Sequence, residues 1–224
     1  MSIPSDYSCI NYYVIKDSLN KQIGSMVFYT ELRDNKVISI DTSKFNDGSI
    51  HETAKMTYDI KKNILSSLKT DIKTRTTSMN IDLENSTERI QGHYKFNRNG
   101  KNIIDRKVDS VIRYDIFREE LYMLVNLMSL KDGDNINFKM LFSDNLQTTV
   151  ANLFYESFEK VKVPAGEFNT NALYLDTGGI IDNRIWINTA APNQVVKFYI
   201  PGQGLSIELI ENSRTNSINK VKRQ

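Results

Sequence analysis

Residues 161–168, VKVPAGEF, place a tight reversal inside an alternating pattern of apolar and polar residues. Pro164 fixes φ near the value that the first corner of a β-turn requires, and Gly166 tolerates the positive φ that is needed soon afterwards. The stretch therefore predicts two antiparallel strands joined by a short turn. The same arrangement recurs along the chain and predicts a mainly β protein.

Stretches with a period of two residues recur between turn-forming residues, as expected for strands that bury one face. The Asn-Gly step at 99–100 is typical of a two-residue hairpin loop. Residues 64–74 also fit a helix, but their threonines favour a strand. Gly92 interrupts a strand pattern and predicts a bulge. The predicted strands are 11–16, 25–32, 36–45, 49–59, 64–74, 79–85, 89–96, 102–108, 135–141, 147–163, 170–176, 183–188, 194–199 and 205–211.

One segment, residues 118–130 (REELYMLVNLMSL), lacks turn residues and is rich in helix formers. Asp115 can cap its start, Glu119 and Glu120 suit the positive end of a helix dipole, and Gly133 marks the end. Because apolar residues cover nearly its whole circumference, we expect this helix to be buried on most sides. We therefore expect a single strongly curved antiparallel sheet, a hairpin-connected half-barrel, around one central α-helix.

The length and the charge of the chain indicate one body and a basic end. The 224 residues suffice for one large β domain, and no linker or repeat divides them. We expect a single half-barrel domain over 1–211 and a flexible tail over 212–224. The net charge of +2 includes +4 from that tail, so the rest of the chain carries −2. A nearly neutral body lacks the basic surface of a nucleic-acid-binding protein, and we predict no nucleic-acid partner.

The compartment is constrained weakly by the sequence. No apolar run approaches the roughly 20 residues that cross a bilayer, so we expect no transmembrane segment. The start, MSIPSDYSC, has neither the basic end nor the apolar core of a signal peptide. This predicts either a cytoplasmic protein or one from which an export signal has been removed. Cys9 is the only cysteine, which excludes an internal disulfide and a cysteine-cluster metal site.

Residues for hydrolytic or transfer chemistry are scarce. The only histidines are His51 and His93, and we expect each to be a surface or satisfied side chain. No nucleophile elbow, zinc-binding helix, phosphate-binding loop or dinucleotide fingerprint occurs. We predict no enzyme, no catalytic residue, no metal and no cofactor. A glycosidase-like pair of carboxylates stays open as an alternative. The acids that lie close in sequence include Asp105 with Asp109 and Glu156 with Glu159.

Four stretches, in this order, resemble a bacterial family known only as domain of unknown function 3108. They are LYMLVNLMSLKDGD (121–134), VKVPAGEF (161–168), NRIWIN (183–188), and APNQVVKF with GLSIEL (191–209). The family fold is similar to the LolA/LolB-like half-barrels that carry lipoproteins and lipids across the bacterial envelope. The resemblance implies a β half-barrel with residues 118–130 inside. It also implies a location in the bacterial envelope, because family members are generally exported, often as lipoproteins.

Two functions from different classes suit this fold. In the first, the chain is a structural or interaction protein that works through its surface and its sheet edges, where a protein partner can add a strand. Trp186 lies in an apolar run and points opposite to Ile185 and Ile187. An exposed tryptophan at this position is the candidate interface residue.

In the second function, the half-barrel is a carrier for an apolar ligand, such as an acyl chain or a lipid, held between sheet and helix. The candidate lining residues are Leu121, Leu124, Val125, Met128 and Met140. An open apolar void of about 300 Å³ or more beside the helix favours the carrier. A filled centre favours the interaction protein.

Overall fold

The fold is a mainly β arrangement in which strand follows strand along the chain. The computed structural model describes residues 7–86, 89–126, 130–179, 182–190 and 193–216, without the side chains of Tyr7 and of 212–216. The strands are β1 (Tyr7–Lys16), β2 (Gln22–Arg33), β3 (Lys36–Phe45), β4 (Ile50–Asp59), β5 (Ile64–Thr74), β6 (Thr77–Asn85), β7 (Ile90–Arg98), β8 (Lys101–Ser110), β9 (Ile116–Phe117), β10 (Asn135–Leu141), β11 (Thr148–Val163), β12 (Gly166–Asp176), β13 (Asn183–Asn188), β14 (Val195–Ile200) and β15 (Leu205–Asn216).

These fifteen strands of the described chain form one sheet in the order β8-β7-β6-β5-β4-β3-β2-β1-β15-β14-β13-β12-β11-β10-β9. Neighbours pair antiparallel from β3 to β8 and from β10 to β15, and β9 lies parallel to β10. The predicted mainly β, hairpin-connected sheet is therefore confirmed. Its strong curvature into a half-barrel is not confirmed and stays a prediction.

The chain divides into two compact units. Unit 1 contains Met1–Tyr12, Met26–Ile112 and Asn212–Gln224, and unit 2 contains Tyr13–Ser25 and Arg113–Glu211. The expected division into a domain over 1–211 and a tail stays a prediction. Strand β15 nevertheless continues to Asn216, past the expected boundary.

The turns follow the chemistry of their residues. Val163 pairs with Gly166, so Pro164 and Ala165 form a two-residue reversal, and Gly166 takes the positive φ of 132°. The backbone N–H of Ala165 also donates to the carbonyl of Leu209 on β15, at 3.0 Å. The hairpin prediction from residues 161–168 is thus confirmed, and the same turn joins the β11–β12 hairpin to β15.

Gly92 is needed for a different reason than the one predicted. The β6–β7 pairing passes through Leu83 and Gly92 with no shift of register, so the predicted bulge at Gly92 is wrong. A Cβ at this position would lie 1.9 Å from the carbonyl oxygen of Asp82, and the φ of Gly92 is +155°. Glycine is required because the neighbouring backbone approaches closely.

The helical segment is shorter than predicted. A 3-10 turn over Arg118–Glu120 leads into one α-helix, α1, which spans Leu121–Val125. The side chain of Asn126 donates to the carbonyl of Tyr122 at 2.9 Å and accepts from the N–H of Val195 at 2.8 Å. These bonds at the end of α1 tie the chain to β14, whereas residues 127–129 of the predicted helix lie outside the described residues.

The start of the helical segment also differs from the prediction. Asp115 does not cap it, because its carboxylate accepts from the N–H of Lys139 at 2.6 Å. Instead, Glu120 reaches back to the N–H of Phe117. The expected burial is confirmed for Leu121 and Val125, which are at most 1% exposed. Among the described residues, no helix is long and apolar enough to cross a membrane.

Candidate functional site

Strands β4–β8 of unit 1 present two chemically different faces. Alternate residues share a face, and the register sets them in rows that cross the sheet. One face, which we call the polar face, carries Thr53, Lys55, Lys69, Asp71, Asn80, Asp82, His93, Lys95 and Lys107. The opposite face, which we call the apolar face, carries the buried side chains Met56, Leu68, Ile81, Leu83 and Tyr94.

The polar face contains a cavity of about 310 Å³. Its lining includes Lys69 and Asp82, whose Nζ and Oδ2 lie 2.7 Å apart, and Asn80, which donates to Asp71 at 2.9 Å. The hydrogen bond with Asp82 raises the pKa of Lys69. The cavity has the size expected of a ligand site, but its side chains are largely polar, and it is lined by residues of unit 1, whereas α1 belongs to unit 2. It is therefore not the apolar void that an acyl carrier requires.

The acids singled out as an alternative catalytic pair have basic partners. Asp105 contacts His93, Asp109 contacts Arg89, and Glu156 and Glu159 contact Arg184. His93 Nε2 lies 2.6 Å from Asp105 Oδ1, and both side chains are largely exposed, as expected for a satisfied surface histidine. Exposed contacts of this kind contribute little to stability. Each acid thus has a basic side chain within ion-pair distance, and Glu156 and Glu159 share Arg184.

Exposure on the apolar face rises from row to row along the strands. Met56, Leu68 and Leu83 form a row in which each side chain is 1% exposed. Four neighbouring side chains on β5–β8 lie two rows beyond this row and are only partly covered. One of them, Ile104, is 38% exposed. We call these four residues the apolar row: Ile72, Met79, Phe96 and Ile104.

Basic side chains flank the apolar row at its β7–β8 end. The guanidinium of Arg98 lies 5.9 Å from the ring centre of Phe96, and that of Arg106 lies 5.3 Å from the ring centre of Tyr94. Lys101 pairs with Arg98 across the two strands. Within the described chain, none of these three basic residues has a carboxylate within ion-pair distance. The β7–β8 end of the apolar row thus carries positive charge that no acid of the described residues pairs with.

The two end strands of the sheet are poorly suited to accept a further strand. In β8 the pairing steps from Ile104 to Asn102, which leaves Ile103 as a bulged residue that is 56% exposed. The same strand carries five charged residues over Lys101–Ser110. At the other end, β9 is only Ile116–Phe117. Bulges, charges and short length are devices that protect sheet edges from pairing.

Trp186 lies on unit 2 and is not exposed. Alternation places it opposite Ile185 and Ile187 as predicted, but the expected exposure is wrong, since Trp186 is 6% exposed. Arg184 and Lys197 cover its ring at 4.8 and 5.5 Å, and its Nε1 donates to Glu159 at 3.0 Å. Long charged side chains bury an aromatic ring in this way while their charged ends remain in contact with solvent. The hydrogen bonds from Ser157, Trp186 and Arg184 lower the pKa of Glu159.

The candidate lining residues that the structure describes are buried or half-buried in unit 2. Leu121 is 1% exposed, and Val125 and Met140 are fully buried. Leu124 is half-buried, and Met128 lies outside the described residues. Tyr122 packs edge-on against Phe198 on β14, with ring centres 4.5 Å apart. A ligand space lined by these side chains stays a prediction.

Two buried carboxylates at the start of α1 were not singled out from the sequence as functional residues. Glu120 is 3% exposed, and its Oε2 accepts from the N–H of Phe117 at 2.5 Å. Burial, with a smaller contribution from the charge of the neighbouring Glu119, raises the pKa of Glu120 to about 8. Glu119 accepts from the hydroxyl of Ser143 at 2.7 Å. The sequence signal that could have identified these two residues is the presence of acids in a segment that is otherwise apolar.

The chain matches no protein-family model and no curated protein. Its structure is similar to the crystal structure of a beta-barrel-like protein of domain of unknown function 1849 from Brucella abortus. That similarity has a TM-score of 0.57 at 6% sequence identity and covers 96% of this chain and 100% of the other. The likeness shows a fold shared with a bacterial protein of unknown function.

Two further solved structures are more distant. One is a protein from Bacteroides fragilis described as exported and as having a YmcC-like fold, with a TM-score of 0.31 and 10% identity over 95% of this chain and 97% of the other. The second, from Parabacteroides distasonis, is described as a lipoprotein, with a TM-score of 0.34 and 9% identity over 94% and 97%. The predicted resemblance to family 3108 and to LolA/LolB-like carriers is not confirmed by these comparisons.

Proposed function

We propose that this chain is a non-catalytic interaction protein that binds a partner protein through the apolar row and its basic flank. One observation carries the proposal: four neighbouring apolar side chains stay partly exposed beside three basic residues that lack ion pairs in the described chain. Aromatic residues, Met and Arg are enriched at the centres of protein interfaces. The apolar row and its flank contain all three types.

The face of the sheet is a better binding surface than its edges. The bulge at Ile103 and the charges of β8 oppose the addition of a strand, and β9 offers only two residues. A partner that rests on the face needs no backbone pairing. It can cover Phe96 and Ile104 directly and remove apolar surface from water.

The proposal also includes a half-barrel fold, a relation to family 3108 and a location in the bacterial envelope. The beta-barrel-like description of the Brucella abortus protein supports curvature of the sheet into a half-barrel. The four sequence stretches within residues 121–209, which follow one another in the same order as in family 3108, support a relation to that family and a place in the bacterial envelope.

Site-specific photo-crosslinking in the source organism tests the proposal. Benzoylphenylalanine replaces Phe96 in the apolar row or, as a matched control, Lys95, the preceding residue of the same strand on the polar face. We expect a defined protein adduct from position 96 and not from position 95. Mass spectrometry identifies the partner, and Phe96→Asp should abolish its co-purification. Equal adducts from the two positions, or no protein adduct from position 96, would refute the proposed function.

A further inference from the structure

The chemistry of the apolar row specifies the kind of segment that fits it, if the proposed function holds. We propose that the bound segment is an acidic amphipathic helix of a partner protein. Its apolar side chains would cover Phe96 and Ile104, and its carboxylates would meet Arg98, Lys101 and Arg106.

Charge complementarity argues for an acidic partner. Arg98 and Lys101 lie on one side of the apolar row and Arg106 on the other, and the part of the chain that the structure describes offers them no ion-pair partner. A guanidinium stacked on an aromatic ring is held in place, so it loses less freedom when it binds a carboxylate. The chain's own basic end, with four basic residues over 212–224, has the same sign of charge as this site and so lacks the complementary charge of a partner.

The dimensions of the site match a helix. The apolar row crosses four strands spaced about 4.8 Å apart, so it is about 14 Å long. A helix that rises about 1.5 Å per residue covers this length with about nine or ten residues, enough for apolar anchors at i, i+3 or i+4, and i+7. Rows on one face are about 6.7 Å apart, so the rows of Arg98 and Arg106 are about 13 Å apart, close to the diameter of a helix.

The orientation of the helix also follows from charge. Asp41 and Glu52 lie on the apolar face of β3 and β4, at the opposite end of the rows from the basic flank. Because Asp41 and Glu52 repel other carboxylates, the carboxylates of the bound helix should lie over the β7–β8 end of the apolar row. A row of partly exposed side chains also suits a protein better than a lipid, because binding sites for small apolar ligands bury most of the ligand surface.

Two stapled 14-residue peptides test the inference. They share apolar residues at i, i+4 and i+7 and differ only in carrying Glu or Lys beside them. Binding is measured by NMR from the methyl groups of Ile72, Met79 and Ile104. From these shifts we expect the acidic peptide to bind at least about tenfold more tightly than the basic peptide. The titrations are done at low salt, because salt screens exposed ion pairs.

A pair of double variants separates the site from the overall charge. Arg98→Glu with Arg106→Glu reverses the flank, and Lys95→Glu with Lys107→Glu makes the same charge change on the polar face of the same two strands. We expect the first variant to bind the acidic peptide at least about tenfold more weakly, and to gain affinity for the basic peptide. The second variant should bind as the unaltered protein does. Thermal unfolding confirms that both variants are folded.

Each other outcome overturns the inference. Equal binding of the two peptides, methyl shifts outside the apolar row, or equal losses in the two double variants would show that the basic flank does not select an acidic helix. Shifts caused by vesicles of anionic phospholipid, with none from either peptide, would identify a lipid as the occupant instead. The crosslinking result from position 96 decides the proposed function separately, so a non-acidic protein partner there would refute only this inference.

Discussion

Replacing Glu120 by Gln should make the protein more stable at neutral and alkaline pH. Glu120 is 3% exposed, and burial raises its pKa from 4.5 to about 8. The folded protein therefore keeps a proton on this side chain through neutral pH, whereas the unfolded chain releases it above pH 4.5. Glutamine is uncharged and keeps an oxygen that can accept from the N–H of Phe117.

The direction and the size of the effect follow from proton linkage. Between pH 4.5 and about 8 the folded state binds more protons at Glu120 than the unfolded state, so stability falls as the pH rises. One pKa unit corresponds to about 1.4 kcal/mol, so the free energy of unfolding of the natural protein falls by about 5 kcal/mol between pH 4.5 and about 8. This loss is absent below pH 4.5. E120Q should match the natural protein near pH 4 and exceed its free energy of unfolding by about 5 kcal/mol above pH 8.

Urea denaturation from pH 4 to 9, followed by the fluorescence of Trp186, measures this difference. The difference in free energy of unfolding between E120Q and the natural protein should increase by about 1.4 kcal/mol per pH unit across the window. Glu84→Gln, which makes the same substitution at an exposed position of β6, is the matched control. A flat difference for E120Q would show that the folded protein does not hold a proton on Glu120.

Three further predictions concern packing and ligands. Gly92→Ala should lower the free energy of unfolding by more than about 3 kcal/mol, because its Cβ would lie 1.9 Å from a backbone oxygen. Gly202→Ala, with no atom within 4 Å of its Cβ, should be nearly neutral in the same urea titration. Trp186→Phe removes the hydrogen bond to Glu159 and should cost about 1–3 kcal/mol in a urea titration followed by far-UV circular dichroism, and a loss below about 0.3 kcal/mol would refute the role of that bond. Mass spectrometry of organic extracts from the native protein should find no stoichiometric lipid, and a stoichiometric lipid would favour the carrier.

The hairpin architecture was predictable because its signals are local. The bounds of β3, β5, β10 and β13 agree with the predicted 36–45, 64–74, 135–141 and 183–188. Alternation has a period of two residues, and turn chemistry acts within four residues, so both are visible in a short stretch. The turn at Pro164 and Gly166 shows the same locality.

The helix and the tryptophan were mispredicted because their surroundings come from distant residues. The side chain of Asn126, just beyond α1, bonds to Val195, which is 69 residues away. Trp186 is covered partly by Arg184, two residues away, and partly by Lys197 of the next strand. Sequence alternation placed Trp186 on the correct face but carried no information about what covers it.

The sequence by itself determined the strands, most of the turns and the alternation of polar and apolar side chains, since these depend on backbone preferences and on nearest neighbours. Only the tertiary structure decided how far each alternating face is covered. Leu68 and Ile72 lie on the same face of β5, yet one is 1% exposed and the other is partly exposed. Coverage depends on packing between residues far apart in the chain, and that packing covers Ile72 and Phe96 less completely than it covers Leu68.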